Sequence, residues 1–177
     1  MLALLLLLLL LPLAHLQSIE IVESLGLKNV PEDAHLTPEQ LATKYGYPFE
    51  AHNVTTDDDY ILTVFRIKHG KDASKPATKV VFLQHCLLCA APAFQAAGPD
   101  KALAYRLADD GYDVWMGNSR GSYFSQGHVK YTTKDKEYWD FTWADMGKYD
   151  VPANIRYVKQ ATGASKIGYV GHSQGTI

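Results

Sequence analysis

The chain has 177 residues, 47% hydrophobic and 20% charged, with 13 Gly and 8 Pro, a make-up that fits one soluble globular domain or part of one and excludes a repeat array, a fibrous chain and a disordered one. Lys plus Arg is 17 against 19 for Asp plus Glu, a formal charge of -2 without any long like-charged run, so the footprint of a nucleic-acid binder is missing. Two cysteines neither build a disulfide miniprotein nor make a four-ligand zinc site.

Leu2 to Leu13 is almost unbroken Leu, long enough for the apolar region of a secretory signal and short of the roughly 20 residues needed to cross a bilayer. The expected organisation is therefore a signal peptide over residues 1–17 and an exported domain over 18–177, with no stable membrane span. No Lys or Arg precedes the apolar run and no clean small-x-small site lies in Ala14 to Ser18, so the cut is placed only within that stretch. Asn53-Val54-Thr55 fits a glycosylation sequon, which carries meaning in an exported chain.

Thr37-Pro38-Glu39-Gln40 combines a capping Thr, a Pro at the first helical position and a Gln three past the cap, predicting a short helix to Tyr45 that stops at Gly46. Phe49 to Thr55 and Tyr60 to Lys68 are β-rich runs around Thr56 to Asp59, which predicts an antiparallel hairpin. Lys71 to Thr78 is polar and reads as a loop. Lys79 to Gln84 holds Val80-Val81-Phe82-Leu83, a continuous apolar run suited to a strand buried on both faces of a parallel sheet. A helix is predicted over Asp100 to Asp110, with Leu103, Ala104 and Leu107 at helical spacing and Gly111 as its stop. Tyr112 to Met116 is a strand, Asp150-Val151-Pro152 opens a helix to about Gln160 that turns Ile155 and Val158 to the sheet, and Lys166 to Gly171 is the last strand. A hairpin followed by alternating strands and helices implies right-handed crossovers, hence an α/β fold with an antiparallel start.

Gly171-His172-Ser173-Gln174-Gly175 fits G-x-S-x-G directly after a predicted strand, the context in which a sharp strand-to-helix turn lifts a Ser oxygen out of the sheet. Gly171 and Gly175 let strand and following turn approach while Ser173 takes a strained backbone conformation. Gln84-His85-Cys86-Leu87-Leu88 leaves the end of the first parallel strand, where an oxyanion hole needs a backbone N–H. In a hydrolase the amides of Leu87 and Gln174 would hold the negative oxygen of the tetrahedral intermediate. His85 is expected to orient that loop without sharing in proton transfer. His172, adjacent to Ser173 on a tight turn, is expected to pack and not to act as base.

From Leu36 to Thr176 the sequence resembles the acid lipase family of α/β-hydrolases, the group of lysosomal acid and gastric lipases and their insect relatives. The residues that carry the resemblance are Tyr45-Gly46-Tyr47-Pro48, Asp57 with Tyr60-Ile61-Leu62, Gln84-His85 with Leu87-Leu88, Leu107-Ala108-Asp109 with Gly111-Tyr112-Asp113-Val114-Trp115, Gly117-Asn118 with Arg120-Gly121, Trp143 with Tyr149-Asp150 and Pro152-Ala153, and the G-x-S-x-G pentapeptide. The resemblance implies an exported hydrolase of lipid carboxylic esters at a lipid–water interface, secreted or lysosomal. Ser173 would be its nucleophile, Leu87 and Gln174 its oxyanion donors, and it would use no cofactor. No protein partner is implied.

Two positions depart from the family's pattern. Cys86 stands where the family has Gly, and if that position takes positive φ, Cys strains the loop and misdirects Leu87. Asp59 stands where the hairpin turn usually has Gly, with little effect expected because Asp tolerates left-handed backbone. Cys86-Leu87-Leu88-Cys89 also spells C-x-x-C; redox or metal chemistry is one reading, buried thiols or an incidental disulfide the others. Asn118, Arg120 and Gly121 are expected to form an Arg-anchored loop, and Tyr138, Trp139, Phe141 and Trp143 to pack as an aromatic cluster and not to line an acyl pocket. Asp145 and Asp150 precede Ser173, so neither fits the chain order Ser, acid, His.

Ile177 lies four residues past Ser173, so the sequence is expected to be the N-terminal part of a longer lipase. The acid and the general base would lie beyond it, and the last strand would stand as an unpaired edge. The competing readings are a non-catalytic lipid-binding or storage protein on the same fold, and an esterase for small polar esters.

Overall fold

The computed structural model describes residues 31–176; the predicted signal peptide and its cleavage region lie outside the described residues. The chain forms two compact units that divide between Thr37 and Pro38. In the first, Glu32–His35 make a single 3₁₀ turn. No described helix is long and apolar enough to cross a membrane.

The second unit begins with α1 (Pro38–Lys44), whose leading Pro occupies a position where a missing N–H costs nothing. Gly46 then turns the chain with φ +80°. The predicted hairpin is present as β1 (Glu50–Thr55) and β2 (Tyr60–Ile67), antiparallel with Glu50 opposite Arg66 and Thr55 opposite Ile61. Its turn is held by the Thr56 hydroxyl, which donates to Asp58 at 2.6 Å, and Asp59 takes φ +74°, as expected for an Asp replacing Gly. Then follow β3 (Lys79–Gln84), α2 (Leu103–Asp109), β4 (Tyr112–Gly117), a two-residue β5 (Gly127–His128), α3 (Val151–Thr162) and β6 (Gly168–Gly171). Compared with the sequence reading, α2 starts three residues later, and β6 starts two residues later. β5 was not foreseen.

The sheet runs β1-β2-β4-β3-β6, with β5 paired to β2. β2 meets β4 antiparallel, whereas β3 lies parallel to both β4 and β6. Alternation along each strand divides the core. Val81 and Leu83, Val114 and Met116, and Phe65 and Ile67 join Ala104, Tyr105 and Ala108 of α2 on one face. Phe82, Trp115, Val64 and Val54 meet Ala153 and Val158 of α3 on the other, so β3 and β4 are covered on both sides and read as unbroken apolar runs for that reason. Among the described residues β6 pairs only with β3, and Tyr169 and Val170 are exposed.

Helical structure reaches α3 earlier than Asp150. Trp143–Asp145 form one α turn behind a Thr142–Asp145 capping box, and Met146–Asp150 widen to a π turn. The widening sits just before Pro152, which has no N–H to return to the preceding turn. At the other end Gly163 takes φ +71° and its N–H donates to the Lys159 carbonyl at 2.9 Å, a left-handed cap. A Cβ there would meet nothing within 4 Å, so Gly163→Ala is expected to cost only the backbone term of about 1–2 kcal/mol, read as a lower urea midpoint with an unchanged m-value.

Candidate active site

The Gly171-to-Gly175 segment turns because its two glycines leave no room for side chains. A Cβ on Gly171 would collide with the Gly175 carbonyl, and one on Gly175 would collide with the Gln84 carbonyl. The turn is pinned to β3 by the His172 N–H, which donates to the Gln84 carbonyl at 3.0 Å, and closed by the Gly175 N–H to the His172 carbonyl at 2.9 Å. Tyr169 OH donates to the Gly175 carbonyl at 2.7 Å. Under these constraints Ser173 has φ +54°, a conformation that L residues other than Asn and Asp seldom take and that marks functional turns. Ser173 is exposed, Gln174 half-buried and Gly175 buried. His172 is exposed as well, which corrects the expectation that it packs: at the tip of this turn its backbone, not its ring, is what the fold uses.

Gln84 and His85 form the floor beneath the turn. They line a small cavity with Ser119, Trp143, Met146 and Gln174. The Gln84 amide donates to Ser119 Oγ at 3.0 Å. His85 is buried; its Nδ1 lies 2.8 Å from the Cys86 carbonyl and its Nε2 3.1 Å from the Ser119 N–H. A carbonyl only accepts and an amide N–H only donates, so Nδ1 carries the proton and Nε2 is bare. Burial pushes the His85 pKa below its usual value despite the bond to the Cys86 carbonyl, in keeping with a ring whose two nitrogens are both taken up by the loop.

That loop is a four-residue turn in which the Cys89 N–H donates to the Cys86 carbonyl at 3.2 Å. Cys86 and Cys89 form a disulfide, one of the readings left open for this C-x-x-C; among the described residues no cluster of three or more His, Cys, Asp or Glu is placed for a metal ion. Cys86 does not have positive φ, so the expected conflict at that position is absent; the left-handed residue is Leu88, at φ +59°. Leu87 and Leu88 are 62% and 91% exposed.

The loop after β4 is anchored as expected. Asn118 is buried, accepting from the Ala91 N–H at 2.9 Å and donating to the Thr63 carbonyl at 2.8 Å. Arg120 Nε and N–H donate to the two Asp150 oxygens at 2.8 and 2.9 Å, and its terminal nitrogens reach Asp58 at 2.6 and 2.8 Å. Its guanidinium lies 3.9 Å from the Tyr60 ring centre. Asp58 and Asp150 were missed as its partners; a lone charged residue, Arg120, in an otherwise uncharged loop is the signal, since a buried cation demands acids. The aromatic cluster divides. Tyr138 is fully buried against Tyr60, Leu62 and Phe141, but Trp139 and Trp143 are exposed, and Trp143 lines the cavity beside Gln174, which corrects the expectation that all four pack in the core. Sequence reading also missed Met146, brought to Gln174 by the π turn.

A strand that ends in a glycine-bounded turn carrying a left-handed, exposed serine, on a parallel sheet with an antiparallel start, defines an α/β hydrolase. The chain belongs to the alpha/beta hydrolase fold family, whose profile matches residues 79–177; residues 38–98 match the partial alpha/beta-hydrolase lipase region. The expected likeness to the gastric and lysosomal type of lipase is found. Rat gastric triacylglycerol lipase is 48% identical over 146 residues, mouse lipase member K is 46% identical over 146, and Drosophila melanogaster lipase 1 is 45% identical over 148. These matches cover 81%, 81% and 84% of this chain but only 37%, 37% and 32% of the relatives. Among solved structures, the Pyrococcus furiosus esterase Pf2001 shares the fold at a TM-score of 0.51 and 22% identity, covering 79% of this chain and 46% of its own.

Proposed function

We propose that these residues supply the nucleophile and oxyanion hole of a serine lipase acting on carboxylic esters of lipids. The observation that carries the reading is Ser173, exposed at φ +54° and seated by Gly175 on the Gln84–His85 end of β3. Ser173 Oγ attacks the ester carbonyl and loses its proton to a base; the oxygen, now negative, is held by the Leu87 and Gln174 N–H groups. Collapse expels the alcohol, which takes the proton, and leaves an acyl-enzyme that water cleaves to the fatty acid. No cofactor enters these steps.

The base is not one of the described histidines of this unit. His52 is engaged by Glu50 and Tyr157, His69 by the Gly70 carbonyl, His85 by Cys86 and Ser119, and His128 by the Lys130 and Tyr131 amides. His172 is adjacent to Ser173 on a tight turn, where neighbouring side chains are expected to diverge. A Ser without a base is a poor nucleophile, so the 177-residue polypeptide alone is expected to give no turnover of p-nitrophenyl esters. A monomeric preparation that bursts and then turns over would refute this.

In protein isolated from its native source, a fluorophosphonate is expected to label Ser173, located by peptide mapping. Lipid binding without labelling would replace the hydrolase by a carrier, and rates that fall steadily from acetyl to palmitoyl esters would point to small polar substrates. Export to the extracellular space or the lysosome is part of the same proposal. Asn53 is exposed on β1, an outer strand of the sheet, accessible to a glycan.

A further inference from the structure

We propose that the Cys86–Cys89 disulfide is a positioning device that holds the turn presenting the Leu87 amide, doing the work that a glycine would otherwise do at Leu88. The inference rests on the reading of Leu87 as an oxyanion donor.

The turn has little else to hold it. Its two central side chains face solvent, Leu87 at 62% and Leu88 at 91% exposure, so apolar burial does not fix their backbone. Leu88 stands at the third position with φ +59°, where turns of this kind call for glycine because a Cβ crowds the following carbonyl. Left to itself, a chain with Leu there moves to an extended conformation, rotating the peptide planes on either side. The backbone bond from Cys89 to Cys86, at 3.2 Å, lies at the long end of the usual range.

What remains is covalent. The bridge joins the first and fourth residues of the turn, with their Cα atoms 5.3 Å apart, within the span that defines a closed β-turn. Its two ends are themselves anchored. Cys86 follows His85, whose buried ring takes the Cys86 carbonyl, and two residues after Cys89 the Ala91 N–H is held by buried Asn118. The disulfide thus closes the short span between two fixed points and leaves Leu88 no route out of the left-handed region. Leu87, enclosed in this ring, follows two residues after His85, whose carbonyl a Cβ on Gly175 would touch, so the turn it sits in leaves the strand end against which the Ser173 turn is packed.

The test compares secreted protein before and after treatment with dithiothreitol, and beside them a Cys86→Ser/Cys89→Ser variant with and without Leu88→Gly. Alkylation without reductant is expected to modify neither cysteine. Reduction is expected to raise amide exchange at Leu88 and Cys89 at least tenfold while β3 and β4 keep their protection. It is also expected to lower kcat about 10² to 10³-fold, the effect of losing one oxyanion donor, with KM little changed. Leu88→Gly is expected to restore most of kcat in the cysteine-free background, which a merely structural bridge would not allow. Free cysteines in the untreated protein, unchanged exchange on reduction, unchanged kcat with faster exchange, or a folded Leu88→Gly variant that fails to recover would each overturn the proposal. If the untreated protein neither turns over nor reacts with fluorophosphonate, the functional reading fails, and the exchange comparison still decides whether the bridge holds the turn.

Discussion

If the proposed role holds, Ser173→Ala is expected to abolish ester turnover in protein from the native source, lowering kcat by about a million-fold as removal of the nucleophile does in a serine hydrolase. The fold should survive, because what this residue gives the turn is its backbone: its carbonyl accepts from Thr176 Oγ1 at 2.6 Å and its side chain is exposed. Ser173→Gly separates chemistry from strain. Glycine adopts φ +54° without a Cβ penalty, so this variant should be equally inactive yet more stable than the serine form, by about 1 kcal/mol. Inactivity with increased stability is the mark of a residue kept for reaction at a cost to the fold. Retention of activity within tenfold in either variant would remove Ser173 from the mechanism.

Arg120→Met is expected to be the most destabilising single change in the described fold, by about 3–5 kcal/mol, measured by urea unfolding. The Arg120 side chain is buried, as is that of Asp150, so the substitution strands a carboxylate away from water. It also unties the β1–β2 turn, the loop after β4 and the start of α3, all of which this guanidinium joins. Adding Asp150→Asn should recover part of the loss by removing the stranded charge. The acid limb of stability should change too. Burial alone would raise the Asp58 pKa, but hydrogen bonds from Arg120 and Thr56 outweigh it and hold the carboxyl below its ordinary value. Its contribution is therefore present above that ordinary value and lost as pH falls through the lowered one. In Arg120→Met that loss on acidification should be smaller.

Local pattern carried much of this structure in the sequence. The continuous apolar run Val80-Val81-Phe82-Leu83 needs no partner to be read, nor does the glycine spacing about Ser173, because both follow from the geometry of a few consecutive residues. What was not legible depends on distance or on covalent choice. Arg120 finds Asp58 across 62 positions and Asp150 across 30, and nothing local marks the pairs. Two cysteines three apart leave a disulfide and free thiols both open until the turn between them is seen. β5 is two residues long and has no pattern to find. The π turn follows from helical structure starting at Trp143, before the Pro that announces α3, so Trp143 and Met146 reached the cavity unannounced.

The parallel pairing of β3 with β6 sets Gln84 opposite Gly171. The turn that carries Ser173 and the turn that carries Leu87 thus leave the ends of two neighbouring strands, and their separation is counted in rungs. Insertion of one residue within β6 would advance the serine by about 3.3 Å and turn Tyr169 and Val170 to opposite faces, a displacement too large for side-chain adjustment to absorb. The placement of Ser173 against Leu87 is in that sense a digital quantity, fixed by how the strands are laced together and insensitive to gradual drift in the loops above them.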